Sequence, residues 1–292
     1  MASYARRPEW LKLRPLDPTI LAGMRKLTRQ LKLHTICESG CCPNRPECFA
    51  KGTATFMILG DVCARNCTFC AVKHGKPLAP DSQEPEHIVE AVKKLGLQYV
   101  VITSVNRDDL PDGGASRFAH TIKAIHTYNA RISVEILIPD FRGSLSALQT
   151  VIDGRPTVVN HNVETVPRLY CEVRPRAKYQ RSLELLRQAK LLDSGLLTKS
   201  GLILGLGESQ QEVIEVMANL RQAGCDILTI GQYLQPSLRH HKVVRYIPPE
   251  EFEEYQDFGR KMGFISVISG PLVRSSFHAA EAYLAAGSAR EN

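Results

Sequence analysis

Three cysteines, Cys63, Cys67 and Cys70, fall within the eight residues CARNCTFC at spacing C-x3-C-x2-C. A structural zinc site takes four protein ligands and a disulfide framework takes pairs, so an odd triad suits neither. Three thiolates on one short loop suit a cubane iron–sulfur cluster that keeps one iron open to another ligand. A second odd set, Cys37, Cys42 and Cys48, stands just upstream in CESGCCPNRPEC at C-x4-C-x5-C. Zinc is the competing chemistry for both sets, and each would need a fourth ligand from elsewhere. Cys41 breaks the upstream spacing and is read as unligated. Cys171 and Cys225, in helix-like or apolar contexts, read as buried small hydrophobes.

The elements that must position these thiols follow a regular alternation. Apolar, β-branched runs occur at 54–59, 98–103, 132–137, 156–160, 199–204 and 226–231. Amphipathic, Leu/Ala-rich stretches separate them at 84–95, 115–128, 143–152, 181–193 and 208–223. Such alternation predicts βαβ units around a parallel sheet, and six strands predict a partial barrel rather than a closed eight-stranded one. Chemistry then belongs at the C-terminal ends of the strands, where the loops read VCARNCTFC, SVNRDDLPDGG, HNVET, GLGES and QYLQPS. A helix is expected over 17–32, and the Cys/Pro/Asn-rich run 37–48 reads as an irregular loop. The C-terminal part adds a helix at 249–262, a strand-like run at 264–269, and a helix after RSS. Three segments are expected: an N-terminal extension (1–52), a barrel core (53–240) and a C-terminal extension (241–292).

Composition is ordinary for a folded α/β chain of 292 residues, with 43% hydrophobic and 23% charged residues. No apolar run approaches the roughly 18 residues of a membrane span. The first residues lack the apolar run of about 7–15 residues that a signal peptide needs. Nine cysteines without such a signal point to a reducing compartment, and the expected location is the cytoplasm. The net charge of +7 is spread without a basic block. Solubility accounts for it, with attraction to an acidic protein as the functional reading; neither nucleic acid nor membrane is an expected partner.

The C-x3-C-x2-C loop leaving the first strand of a βα series resembles the radical S-adenosylmethionine (SAM) superfamily. That likeness implies a 4Fe–4S cluster on Cys63, Cys67 and Cys70, an open iron for SAM, and Phe69 near the adenine. The second triad extends the likeness. TICESGCCPNRPECFAKGTATFMILGDVCARNCTFCAV, ITSVNRDDLPDGGA, NHNVETVPRLYCEVRPRAKYQRSLELL, KSGLILGLGES, LTIGQYLQPS and RSSFHA together resemble the lipoyl synthase family over residues 8–285 or so. The resemblance implies a second, auxiliary 4Fe–4S cluster on Cys37, Cys42 and Cys48 with Ser276 as the fourth ligand; Ser275 is the alternative. The ordinary reading of these serines is a cap on the following helix.

Around SAM, the expected contacts are Thr103 and Ser104, then Asn160, Asn162 and Glu164 for sugar hydroxyls and ammonium, and Arg174 for a carboxylate. The GLGES run is expected to reach adenine through its backbone. Asp108 and Asp109 of RDDLPDGG are weighed as caps of the next helix. The resemblance further implies a sulfurtransferase that inserts two sulfur atoms at C6 and C8 of an octanoyl-lysine, with the auxiliary cluster as donor. Its implied partners are octanoylated lipoyl carrier domains (H protein, 2-oxoacid dehydrogenase acyltransferase subunits), an electron donor such as flavodoxin or ferredoxin, and iron–sulfur assembly proteins. The competing readings are a sulfur-inserting radical SAM enzyme similar to biotin synthase, and a zinc-binding module without catalysis.

Overall fold

Seven strands form where short apolar runs predict them: β1 (Thr55–Ile58), β2 (Tyr99–Ser104), β3 (Ser133–Leu137), β4 (Val158–Asn160), β5 (Leu197–Leu204), β6 (Ile227–Gln232) and β7 (Ser266–Gly270). The computed structural model describes residues 7–13, 15 and 17–291. All four residues of β1 and all six of β6 are buried, as expected for strands covered on both faces. The chain divides into two units.

One unit comprises Leu13–Arg65 and Val72–Val159. In it, β1 pairs parallel with β2 (Thr55 opposite Val101) and β2 parallel with β3 (Tyr99 opposite Ser133). The two-residue strand His34–Thr35 runs antiparallel along the free side of β1. Helices Glu84–Leu95, Ala115–Tyr128 and Leu145–Asp153 each bury an apolar stripe, including Ile88, Val92, Phe118, Ile122, Leu148 and Val151. Asp17 caps helix Pro18–Gln30 by accepting the Thr19 N–H at 2.7 Å.

The other unit takes in Asn66–Ala71 and Asn160–Asn292, with N-terminal residues up to Lys12. Here β5, β6 and β7 pair parallel in that order, with Lys199 opposite Ile227 and Ser266 opposite Ile227 on its other side. Their core is a single cluster that includes Leu186, Val213, Met217, Leu228, Ile230, Phe252 and Tyr255. Ser209 and Glu212 form a reciprocal capping box at the start of Gln210–Gln222.

Two expectations need correction. The run 37–48 is not wholly irregular, because it contains the short helices Ile36–Ser39 and Arg45–Ala50. Thr35 starts the first by accepting the Glu38 N–H, and Pro46 in the first turn favours the second. Cys171 is exposed rather than buried, whereas Cys225 is buried and its Sγ donates to the Ile227 carbonyl at 3.3 Å.

Candidate functional site

The loop after β1 turns sharply through Leu59 and Gly60, both with positive φ (69° and 92°). Its backbone is held from both sides. Both carboxylate oxygens of buried Glu84 accept the Leu59 N–H at 3.0 Å, and Arg107 Nη1 donates to the Leu59 carbonyl at 3.2 Å. Cys63 follows, and its Sγ accepts the backbone N–H groups of Arg65 and Asn106, each at 3.4 Å. These two amides orient the sulfur and fix the loop that carries it.

Arg65, between the first two cysteines, is only 4% exposed at its side chain. Its fork reaches both oxygens of Asp108 at 2.7 and 2.8 Å, and its Nη2 reaches buried Asp140 at 2.6 Å. Burial disfavours the guanidinium charge, but these two carboxylates outweigh it and raise the pKa above the ordinary arginine value. Asp109 is held instead by Arg107. Neither caps the next helix, whose N-cap is Gly114; Asp112, two residues earlier, accepts the Gly114 and Ser116 N–H groups. At the end of β2, the Thr103 hydroxyl donates to the Leu137 carbonyl, while the buried Ser104 Oγ and Asn106 Oδ1 have no hydrogen-bond partner.

Cys67 and Cys70 lie in the other unit. The Thr68 N–H donates to the Val173 carbonyl, and the Thr68 carbonyl accepts from the His241 N–H. His240 bonds to the Cys70 carbonyl through Nε2 (3.1 Å) and to the Ser237 hydroxyl through Nδ1 (2.8 Å). The run 233–247 thus clamps the second half of the cysteine loop. Gln232 anchors that run, donating to the carbonyls of Leu204, Tyr233 and Arg245 and accepting the Ile247 N–H. Phe69 packs against the apolar core of this unit.

Asn160, the last residue of β4, and Asn162 just after it are buried, and Glu164 takes a positive φ of 66°. Asn162 Nδ2 donates to Glu164 Oε1 (3.1 Å) and to Ser275 Oγ (3.3 Å), leaving its buried Oδ1 without a partner. Burial raises the Glu164 pKa against the attraction of Arg174, Asn162 and Arg274. Arg174 Nη1 serves the Asn162 and Val163 carbonyls and the Tyr170 hydroxyl, whereas its buried Nε has no partner. The GLGES run is less available than expected. Glu208 turns back and accepts the Gly205 and Leu206 N–H groups, so the loop fills its own anion-binding nest.

The upstream thiols are brought together. Cys37, Cys42 and Cys48 share one apolar cluster with Met24 and Phe49. Burial, followed by the neighbouring Cys42, pushes Cys37 up to about 12 and Cys48 up to about 11. Cys37 and Cys48, so raised, resist ionising unless a cationic centre compensates them, which fits a metal cluster. Among the described residues, no three His, Cys, Asp or Glu side chains converge on a position for one metal ion. A cubane places its thiolates on different irons, so convergence on one point is not what it requires.

Ser275 and Ser276 are half-buried in the turn after β7. The first backbone bond of helix Ala279–Glu291 runs from the Ala282 N–H to the His278 carbonyl. By that bond His278, and neither serine, occupies the N-cap position.

A family model described as the radical SAM superfamily matches residues 57–220. Lipoyl synthase of Caldanaerobacter subterraneus subsp. tengcongensis is 55% identical over 274 residues, covering 94% of this chain and 96% of that one. The chain belongs to the lipoyl synthase family. Lipoyl synthases of Rubrobacter xylanophilus and Haemophilus influenzae are 56% and 51% identical, each over 94% of this chain and 86% of theirs. It is accordingly a radical SAM enzyme of the sulfurtransferase class, and that membership implies a 4Fe–4S cluster and SAM. The fold has separate support at low identity. SuiB of Streptococcus suis bound to S-adenosylmethionine gives a TM-score of 0.57 at 15% identity, covering 86% of this chain and 60% of that one. HydG, a hydrogenase maturase, gives 0.56 at 15%, covering 87% and 56%. The parallel α/β partial barrel expected from strand–helix alternation is therefore the fold. No helix among the described residues is long and apolar enough to cross a membrane.

Proposed function

We propose that this chain converts a protein-bound octanoyl-lysine to lipoyl-lysine, and that its two cysteine triads divide the work. The observation that carries this reading is the pair of incomplete triads in different settings. Cys63 leaves the first barrel strand with backbone donors on its sulfur, while Cys37, Cys42 and Cys48 are sequestered together in apolar surroundings. Cys63, Cys67 and Cys70 would hold the SAM-cleaving 4Fe–4S cluster. Bound together with SAM, that cluster supplies a carbon radical able to take hydrogen from unactivated C–H bonds, which lie beyond acid–base chemistry.

The chain's own residues do the positioning. Glu84, Arg107 and Arg65 hold the loop that presents Cys63, and His240 and His241 hold the stretch carrying Cys67 and Cys70. Ser104, Asn162 and Arg174 offer buried polar atoms without protein partners, suited to the ammonium, ribose and carboxylate of SAM. Thr103, Asn160, Glu164 and Phe69 complete the proposed SAM set. The auxiliary cluster, on Cys37, Cys42, Cys48 and Ser276, is a substrate that gives up two sulfides. A hard serine oxygen holds iron less firmly than a thiolate and so favours that release. Each C–S bond would join a substrate carbon radical to a cluster sulfide, the surplus electron passing to cluster iron and the sulfurs leaving as thiols on protonation. Each hydrogen removed leaves as part of 5′-deoxyadenosine, and each SAM cleaved takes one electron from an external reductant such as flavodoxin or ferredoxin. The protein substrate is an octanoylated lipoyl carrier domain, and iron–sulfur assembly proteins would rebuild the spent cluster.

Cys37→Ala is expected to lose sulfur insertion while retaining SAM cleavage to 5′-deoxyadenosine, and Cys63→Ala to lose both. Equal loss of both activities in Cys37→Ala would refute the division of labour.

A further inference from the structure

Two glycines make room for close approaches on the neighbouring strands β5 and β6. A Cβ on Gly231, in β6, would lie 2.0 Å from the Val273 carbonyl oxygen. A Cβ on Gly201, in β5, would lie 2.9 Å from Asn162 Oδ1 and 2.8 Å from Thr229 Oγ1. Neither glycine has a positive φ, so backbone conformation is not the reason for either. Bare Gly231 lets the chain at Val273 lie directly on the sheet, and bare Gly201 seats the Asn162 amide.

What these glycines bring together is one connected polar set. Asn162 Nδ2 is shared between Glu164 Oε1 and Ser275 Oγ. Arg274, next to Ser275, attracts the Glu164 carboxylate, and its Nη1 donates to the Val273 carbonyl at 2.6 Å. Glu164 is fixed in turn by its backbone, which donates to Gly201 and accepts from Ile203. A buried amide with both donor contacts fixed and its acceptor open can move only by disturbing both partners.

We propose that Asn162 is a positioning residue that ties the Arg274–Ser275–Ser276 turn to Glu164, so that a cationic amine arriving at Glu164 is felt at the turn. Ser275 is then the serine that locks the turn, and Ser276 the one left for the auxiliary cluster. This rests on the function proposed above, with the SAM ammonium as the amine. The two ends are linked reciprocally: the factor by which an ordered turn strengthens the amine's site is the factor by which bound amine steadies the turn.

The test uses the anaerobically prepared full chain, with SAM as the probe. SAM affinity is read by calorimetry, and amide hydrogen exchange is followed across 273–278. Ser275→Ala is expected to speed exchange in that segment without any ligand and to weaken SAM about 3- to 10-fold, the worth of one hydrogen bond. Ser275→Thr, which keeps the hydroxyl, should restore both. Asn162→Ala should weaken SAM, and adding Ser275→Ala to it should cost nothing further. Unchanged exchange and affinity in Ser275→Ala, failure of Thr to restore them, or losses that multiply in the double variant would each overturn the tie. Absence of SAM binding by the unaltered chain would sink the proposed function and the amine coupling with it. The ligand-free exchange comparison then still decides whether Ser275 locks the turn.

Discussion

Removing the Arg65 guanidinium is the sharpest perturbation the structure offers, because it takes the paired cation from a carboxylate that water barely reaches. Asp140 is 2% exposed at its side chain, and besides Arg65 it accepts the Arg142 N–H. Asp108, at 26%, retains partial access to water and loses less. Breaking a buried pair by deleting one member costs about 3–5 kcal/mol, so Arg65→Met is expected to lose stability in that range. The pair's net worth is a different quantity. Replacing both members with apolar residues removes the desolvation cost as well, so Arg65→Met combined with Asp140→Leu should recover at least ~1–2 kcal/mol of the single variant's loss. Denaturant unfolding of the four proteins, with iron per chain measured alongside, reads both effects. The Cys63 loop should lose iron in Arg65→Met while the upstream triad keeps its own. A loss below ~1 kcal/mol for Arg65→Met, or a double variant that loses as much as the two singles added, would refute the argument.

Other outcomes follow from the same packing. Burial raises the Glu84 pKa above the ordinary carboxylate value, so the folded state binds more protons than the unfolded state between the two values. Its contribution to stability should therefore fall as pH rises through that window, and Glu84→Gln should flatten this part of the stability–pH curve. Gln232→Leu abandons three carbonyls and the Ile247 N–H. It should cost ~2–4 kcal/mol and speed amide exchange across 233–247. Gly231→Ala drives a methyl into the Val273 carbonyl and should cost ~1–3 kcal/mol in the same unfolding assay, although alanine is otherwise the better-tolerated residue.

The strands were legible because each is a short β-branched run between polar loops, and the proximity of the three upstream cysteines followed from their short spacing. The devices that hold those cysteines were not. Arg65 stands in plain view within CARNCTFC, yet its role depends on Asp108 and Asp140, 43 and 75 residues further along. His240 and His241 lack the spacing of metal ligands, and their work is to grip a backbone about 170 residues away. Local chemistry misled in three places. Thr35 and Pro46 fold parts of the Cys-rich run into helix, Glu208 consumes the amides of its own glycine loop, and Cys171 sits on an exposed helical turn. The pairing of Asn162 with Ser275 spans 113 residues and left no local signal.

The most direct test of the central claim is turnover of an octanoyl-lysyl peptide by the anaerobic chain with SAM and reductant, followed by mass spectrometry. The expected product carries two added sulfur atoms and is preceded by a one-sulfur species that stays bound to the protein. The sulfur should come from the chain's own clusters when no other source is supplied. Vigorous SAM cleavage with no sulfur in the peptide, from protein whose upstream triad is fully loaded with iron and sulfide, would contradict that claim.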